Sequence, residues 1–248
     1  NAQAHALKAC TIGQGVFRGF LEGDANEIIG QAMESISRAL ELNEHDFECH
    51  RMLSAVYLSK HEYQLAEEHG RRAHDMNPND PRVLAGYGEV LARVGKPEEG
   101  IHLLEKALSL DPIPQGQMNS DNRYTDLTLA YFYAKEFEKC IESGKKVEHV
   151  NFKSWLLVNF SKDKIGLLDK KDIYFKYGLK EFKEGGWDLK IDRLHLPDEK
   201  TQSDLLKFLN NLSTLLIPSL DCPLYSPGRE FNISTISSNS IDTPFRTI

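Results

Sequence analysis

A period of 34 residues is the feature that most narrows what this chain can fold into. Setting residues 47–80 over 81–114 puts Pro78 on Pro112, Ala73 on Ala107 and Arg72 on Lys106. The same offset puts Ala66 on Gly100, Ser54 on Gly88 and Tyr57 on Leu91. One period earlier, Ala32, Arg38 and Ala39 take the corresponding places. One period later, after six extra residues, Thr128, Tyr131, Cys140, Lys146 and Val147 do. A long fixed period means that one supersecondary unit is stacked on copies of itself, each covering its neighbour's apolar face.

Each slot has a physical reason. Small residues at 32, 66, 100 and 140, and at 54, 88 and 128, let two helices approach closely, while Tyr57, Leu91 and Tyr131 fill the space between them. Asn77-Pro78 and Asp111-Pro112 stop the second helix, which proline cannot continue. Gly95 ends one helix and Pro97 opens the next, whose positive N-terminus suits Glu98 and Glu99. Helices are therefore expected at 2–21 and 24–42 (Asp24 as N-cap), 47–60 and 63–76, 81–94 and 97–109, 121–134 and 137–149. Residues 113–120 form a long loop. The domain reading is a solenoid of about four repeats over 1–150, then a degenerate fifth pair (152–161 and 171–184) with a capping helix (201–212) over 151–212. A Ser/Thr-rich irregular or disordered tail over 213–248 completes it.

These marks resemble the tetratricopeptide repeat, most strongly over 47–114. Leu53-Ser-Ala-Val-Tyr57 and Gly95-Lys-Pro-Glu-Glu-Gly-Ile-His-Leu-Leu-Glu-Lys-Ala-Leu108 are the best stretches. His50 and Leu84 stand where that family favours Trp, and Glu44 where a proline closes the unit. The resemblance implies an all-α fold, a right-handed α-α superhelix of four to five helix pairs, with the first helix of each pair lining a concave groove. A second resemblance rests on Ala-Leu-Ser-Leu-Asp111-Pro112, the long loop after it, and Leu194-His-Leu-Pro197 before a short helix. It is similar to the C-terminal repeat region of bacterial adenylate/guanylate cyclases and related signalling proteins. That implies a regulatory piece of a longer chain, an expectation that Asn1 in place of Met supports.

Composition excludes several function classes. A hydrophobic share of 40% allows a sizeable core. The net charge of -7, with no long basic run, speaks against nucleic acid as a partner. No apolar run approaches the roughly 20 residues of a membrane helix, so no membrane partner is expected, and no signal peptide is read. Cys10, Cys49, Cys140 and Cys222 are sparse and never in CxxC spacing, which suggests reduced thiols and a cytoplasmic protein. The sequons at Asn159, Asn211 and Asn232 carry no weight without a secretion signal.

No motif points to catalysis. Gly13-Gln-Gly15-Val-Phe-Arg-Gly19 is one residue too long for a dinucleotide loop, follows no strand and sits in a helical pattern. His45, His50, His61, His69 and His74 cluster in sequence near Cys49, but on differing helix faces, so no metal site is expected. No catalytic residue and no cofactor is assigned, and a site within 150–248 is the only enzyme alternative.

What remains is a binding surface. The resemblance places Arg51, Ala55 and Leu58 in the groove from one repeat, Arg82, Ala85, Glu89 and Arg93 from the next, and Asn122, Thr125, Leu129 and Phe132 from the last. Arginines near an aromatic are good anchors for carboxylates or a peptide backbone. Ala55 and Glu89 stand where relatives that hold chaperone C-termini carry asparagines, so that clamp is absent. The expected function is an interaction scaffold holding a peptide or protein in the groove, with Arg51, Arg82 and Arg93 orienting acidic or C-terminal groups. The alternative is a homo-oligomerising element, a homodimer, that brings attached cyclase domains together.

Overall fold

The computed structural model describes residues 1–17, 24–114, 120–183 and 199–214, and these form eleven α-helices with no strand among them. The pairs are α1 (Ala2–Phe17) with α2 (Ala25–Leu42), α3 (Phe47–Ser59) with α4 (Tyr63–Met76), and α5 (Pro81–Arg93) with α6 (Pro97–Leu110). Then come α7 (Asp121–Tyr133) with α8 (Phe137–Gly144), α9 (Phe152–Lys164) with α10 (Ile173–Lys183), and a last helix, α11 (Glu199–Thr214). First helices touch in series, α3 on α5, α5 on α7 and α7 on α9, and so build one wall. Each second helix packs on its own partner and on the first helix of the next pair, as α4 does on α5. This is the repeat solenoid of helix pairs that the 34-residue period calls for.

Local chemistry sets the helix starts. Asp46 accepts the Cys49 N–H at 3.1 Å, Asp80 accepts the N–H groups of Arg82 and Val83 ahead of Pro81, and Asn151 accepts the Ser154 N–H at 2.9 Å. The turn inside the second, third and fourth pairs uses one left-handed residue. Gly95 has φ +90°, and the same slot holds His61 at φ 61° and Lys135 at φ 60°. Glycine adopts this conformation freely, whereas a side chain there costs on the order of 1 kcal/mol.

The small-residue slots do what their spacing requires. A Cβ on Gly100 would sit 2.5 Å from the carbonyl oxygen of Gly88, so α5 and α6 meet backbone to backbone. Ala66, Ala107 and Cys140 are fully buried in comparable slots. One continuous core runs from Leu84 through Leu129, Trp155 and Phe160 to Leu212, and a second joins α1, α2 and α3 around Ile36 and Cys49. Trp155 fills the space under α10: its indole donates to the Tyr174 carbonyl at 3.2 Å, and Gly178 lies too close to the ring for any Cβ.

Some boundaries differ from expectation. The helix expected over 137–149 ends at Gly144, because the Asp121 carboxylate takes the N–H groups of Glu148 and His149 at 2.7 and 2.9 Å and holds them out of a helical path. α9 runs to Lys164, beyond the expected 161, and α11 is longer than 201–212 at both ends. The end of the first helix over 18–21, Gly19, the middle of the 113–120 loop, Leu194–Pro197 and residues 215–248, with Cys222 and Asn232, lie outside the described residues.

The concave face as candidate binding site

The wall of first helices carries the charged residues named from sequence, and the structure shows what each one touches. Arg51, 22% exposed, reaches Glu48 at 2.6 Å one turn back on α3. Arg82 holds Asp80 at 2.8 Å and crosses to Glu48 at 3.4 Å, tying α3 to α5. Arg93 is 2% exposed and meets Glu89 at 2.6 Å. Burial opposes its charge, yet the Glu89 carboxylate and its neighbours more than compensate, so the guanidinium is held above its usual range. Asn122 is exposed on α7. Thr125 is buried and accepts from Asn151 Nδ2 at 3.3 Å, and Phe132 is 3% exposed and packs edge-on to Phe160. Ala85 and Leu129 are likewise buried, while Ala55 is exposed and Leu58 is buried at the groove floor.

Three residues that the sequence reading did not single out complete the face. Lys153 on α9 lies 3.7 Å from Glu89 and 3.8 Å from Asp126, so one ammonium group bridges α5, α7 and α9. Asp126, still 23% exposed, is pushed up to about 7 by burial and by the neighbouring Glu89 carboxylate, against the pull of Lys153, Arg93 and Arg123. Glu48 is the third, shared by two arginines. A signal for Lys153 was present: it follows Asn122 by 31 residues, as the second residue of its helix, the slot that Arg82 and Asn122 also fill. The fifth pair's shortened offset concealed it.

Between α3 and α5 the wall opens into a cavity of about 320 Å³. Leu58, Val83, Val90 and Ala73 give it an apolar floor, and Arg51 and Glu89 lie at its edge. Gly86 borders it with nothing within 4 Å of where a Cβ would stand, so this volume is open.

Between α3 and α4, His50 and His69 face each other with Nδ1 atoms 2.9 Å apart, and Tyr57 stacks on His69. His50 Nε2 lies 3.3 Å from the Glu44 carbonyl, which only accepts, so Nε2 carries the hydrogen and Nδ1 receives one from His69. Burial holds both rings below the usual imidazole value. No group of three or more metal-capable side chains occurs among the described residues. Gly13 and Gly15 lie inside α1. Cys49 and Cys140 are buried thiols pushed up to about 12, mainly by burial. Asn159 is fully buried, so its sequon is sealed in the core.

No family model and no curated protein matches the chain. Solved structures do. PilW, described as a widely conserved type IV pilus biogenesis factor, has a TM-score of 0.60 at 18% identity, over 88% of this chain and 96% of its own. Pseudomonas aeruginosa pilF gives 0.56 at 19% identity, over 88% and 93%. A MamA structure gives 0.52 at 18%, over 65% and 92%. The likeness to these tetratricopeptide-type structures is one of fold; it does not bear on the resemblance to cyclase-associated repeats. No helix among the described residues is long and apolar enough to cross a membrane.

Proposed function

We propose that the chain is a binding scaffold that takes a peptide or extended protein segment along the concave face, anchored by a bulky apolar side chain in the cavity between α3 and α5. The open cavity carries this reading. It is apolar at the floor, bordered by charge, and large enough for a leucine-sized or aromatic group. The arginines act differently from free anchors. Arg51 and Arg82 are preset by Glu48 and Asp80, so a partner's polar groups would meet fixed guanidinium forks rather than mobile ones. Arg93 and Lys153 hold the wall rigid from within.

The test is selection of binders from a random peptide display library on the wild-type protein, repeated on Gly86→Leu and Ala55→Glu. Peptides with a conserved bulky apolar residue are expected, and both variants should lose them while keeping wild-type circular dichroism. Binders that ignore both substitutions, or no binders at all, would remove the cavity from the proposal.

A further inference from the structure

Glu89 belongs to two places at once. It borders the cavity between α3 and α5, and its carboxylate lies 3.7 Å from Lys153 Nζ, where α5, α7 and α9 meet. Arg93 donates to it through Nε and Nη2 at 3.2 and 2.6 Å, so Glu89 is already engaged. Asp126 and Lys153 stand differently. Asp126 Oδ1 and Lys153 Nζ are 3.8 Å apart, too far for a hydrogen bond, and neither group has a hydrogen-bond partner among the described residues. Both side chains are half-buried on the wall of first helices. Asp126 follows Gly86, which borders the open cavity, by one period of 34 plus the six extra residues, and Lys153 stands in the slot of Arg82 and Asn122. Burial and Glu89 push Asp126 up to about 7, as happens to a carboxylate short of donors. The attraction of Lys153 for the two carboxylates ties the wall together but leaves its N–H donors unspent.

We propose that Asp126 and Lys153 together hold the main chain of the segment lying in the groove, the carboxylate accepting one residue's N–H and the ammonium group donating to the same residue's C=O. This rests on the concave face being the groove for an extended segment, and it says how that segment's backbone is read. In an antiparallel ladder, one residue of an extended chain turns both its N–H and its C=O to the same neighbour. A donor and an acceptor side by side on the wall match that pair. Charge favours an amide over an ion. Arg93 and Lys153 balance Glu89 and Asp126, so an incoming cation or anion would leave a half-buried surplus, whereas a neutral amide adds none. Neighbouring helix axes lie about 8–10 Å apart, and an extended chain advances about 3.3 Å per residue. The clamped residue therefore lies about two to four residues from the apolar side chain in the cavity.

Amide-to-ester replacement tests this, since it removes one N–H and leaves the shape of the chain nearly unchanged. The probes are the strongest-binding peptides selected from the display library, with the ester placed at each position in turn and affinity measured by calorimetry. One ester, about two to four residues from the apolar anchor, is expected to weaken binding to the wild type about tenfold or more, as loss of a hydrogen bond to a charged group does. Asp126→Ala should weaken the parent peptide by a like factor and then bind parent and ester alike. Lys153→Met should also weaken the parent, both variants keeping wild-type circular dichroism. Absence of any sensitive position, or an ester effect that persists in Asp126→Ala, would overturn the clamp. So would an effect reproduced by replacing an Asn or Gln side chain with Ala and by no ester, since the amide bound would then be a side chain's. Replacing the anchor side chain with Ala separates this proposal from the cavity reading. Peptides that need the anchor but tolerate every ester keep the cavity and lose the clamp, and peptides that ignore the anchor but fail with one ester do the reverse. A library without binders removes both.

Discussion

The contact of Gly88 with Gly100 allows the repeat logic to be tested by a matched pair of substitutions. Gly100→Ala would place a Cβ 2.5 Å from the Gly88 carbonyl oxygen and 3.0 Å from the Ala92 nitrogen, both of them backbone atoms. An ordinary C···O approach is about 3.3 Å, so α5 and α6 must separate by roughly 0.8 Å along their whole contact. Overpacking of this kind costs about 1–3 kcal/mol, against about 1 kcal/mol gained from alanine's helix propensity. Gly86→Ala, two residues from Gly88 and so on the opposite side of the same helix α5, meets nothing within 4 Å and should keep the full propensity gain. Urea unfolding followed by far-ultraviolet circular dichroism should therefore place Gly86→Ala above the wild type and Gly100→Ala at or below it. The gap is about 1–3 kcal/mol, or roughly 0.5–1.5 M in midpoint for a slope near 2 kcal/mol/M. If Gly100→Ala proves as stable as Gly86→Ala, the close approach does not hold these helices together and the reasoning fails.

Four further outcomes are expected. His61→Gly and Lys135→Gly should each stabilise by about 1 kcal/mol, since both residues sit at positive φ; a loss in thermal midpoint would refute the strain. Trp155→Ala should cost about 3–5 kcal/mol and expose α10 to limited proteolysis, because the indole fills the space beneath it. The buried histidines keep depressed values in the folded chain, so below the unfolded value of 6.5 the unfolded chain takes up protons that the folded one refuses. Stability should then fall with acidification by up to about 1.4 kcal/mol per pH unit per ring, a slope that His50→Gln/His69→Gln should flatten in pH-dependent melting. Asp126 works the other way: its raised value makes the folded chain hold a proton between about 7 and 3.8 that the unfolded chain has lost, so stability should rise on acidification through that window. Asp126→Asn should abolish that rise and thereby deepen the acid loss caused by the histidines.

The period, the pairing of helices and most helix boundaries were legible in the sequence, because each depends on local chemistry repeated at a fixed spacing. Pro78, Pro112 and Gly95 act on their own neighbours, and small residues at 66 and 100 report a close approach wherever the repeat recurs. Boundaries failed where a distant group intervened, as when Asp121 drew Glu148 and His149 out of α8 across 27 residues. The groove was legible only in outline. The slots naming Arg51, Arg82 and Glu89 lie on the wall, but a slot does not say whether a side chain is free. Arg93 was spent on Glu89, and Thr125 and Phe132 went to the core, because α9 closes over α7 at that point. Lys153 and Asp126 lie 64 and 37 residues from Glu89, and only stacking brings them together. The sequence by itself thus determined what repeats, since helix starts, stops and close contacts are short-range. Only the tertiary structure decided which charges are paired and which cavity stays open, since each depends on neighbours set by the stack rather than by the chain.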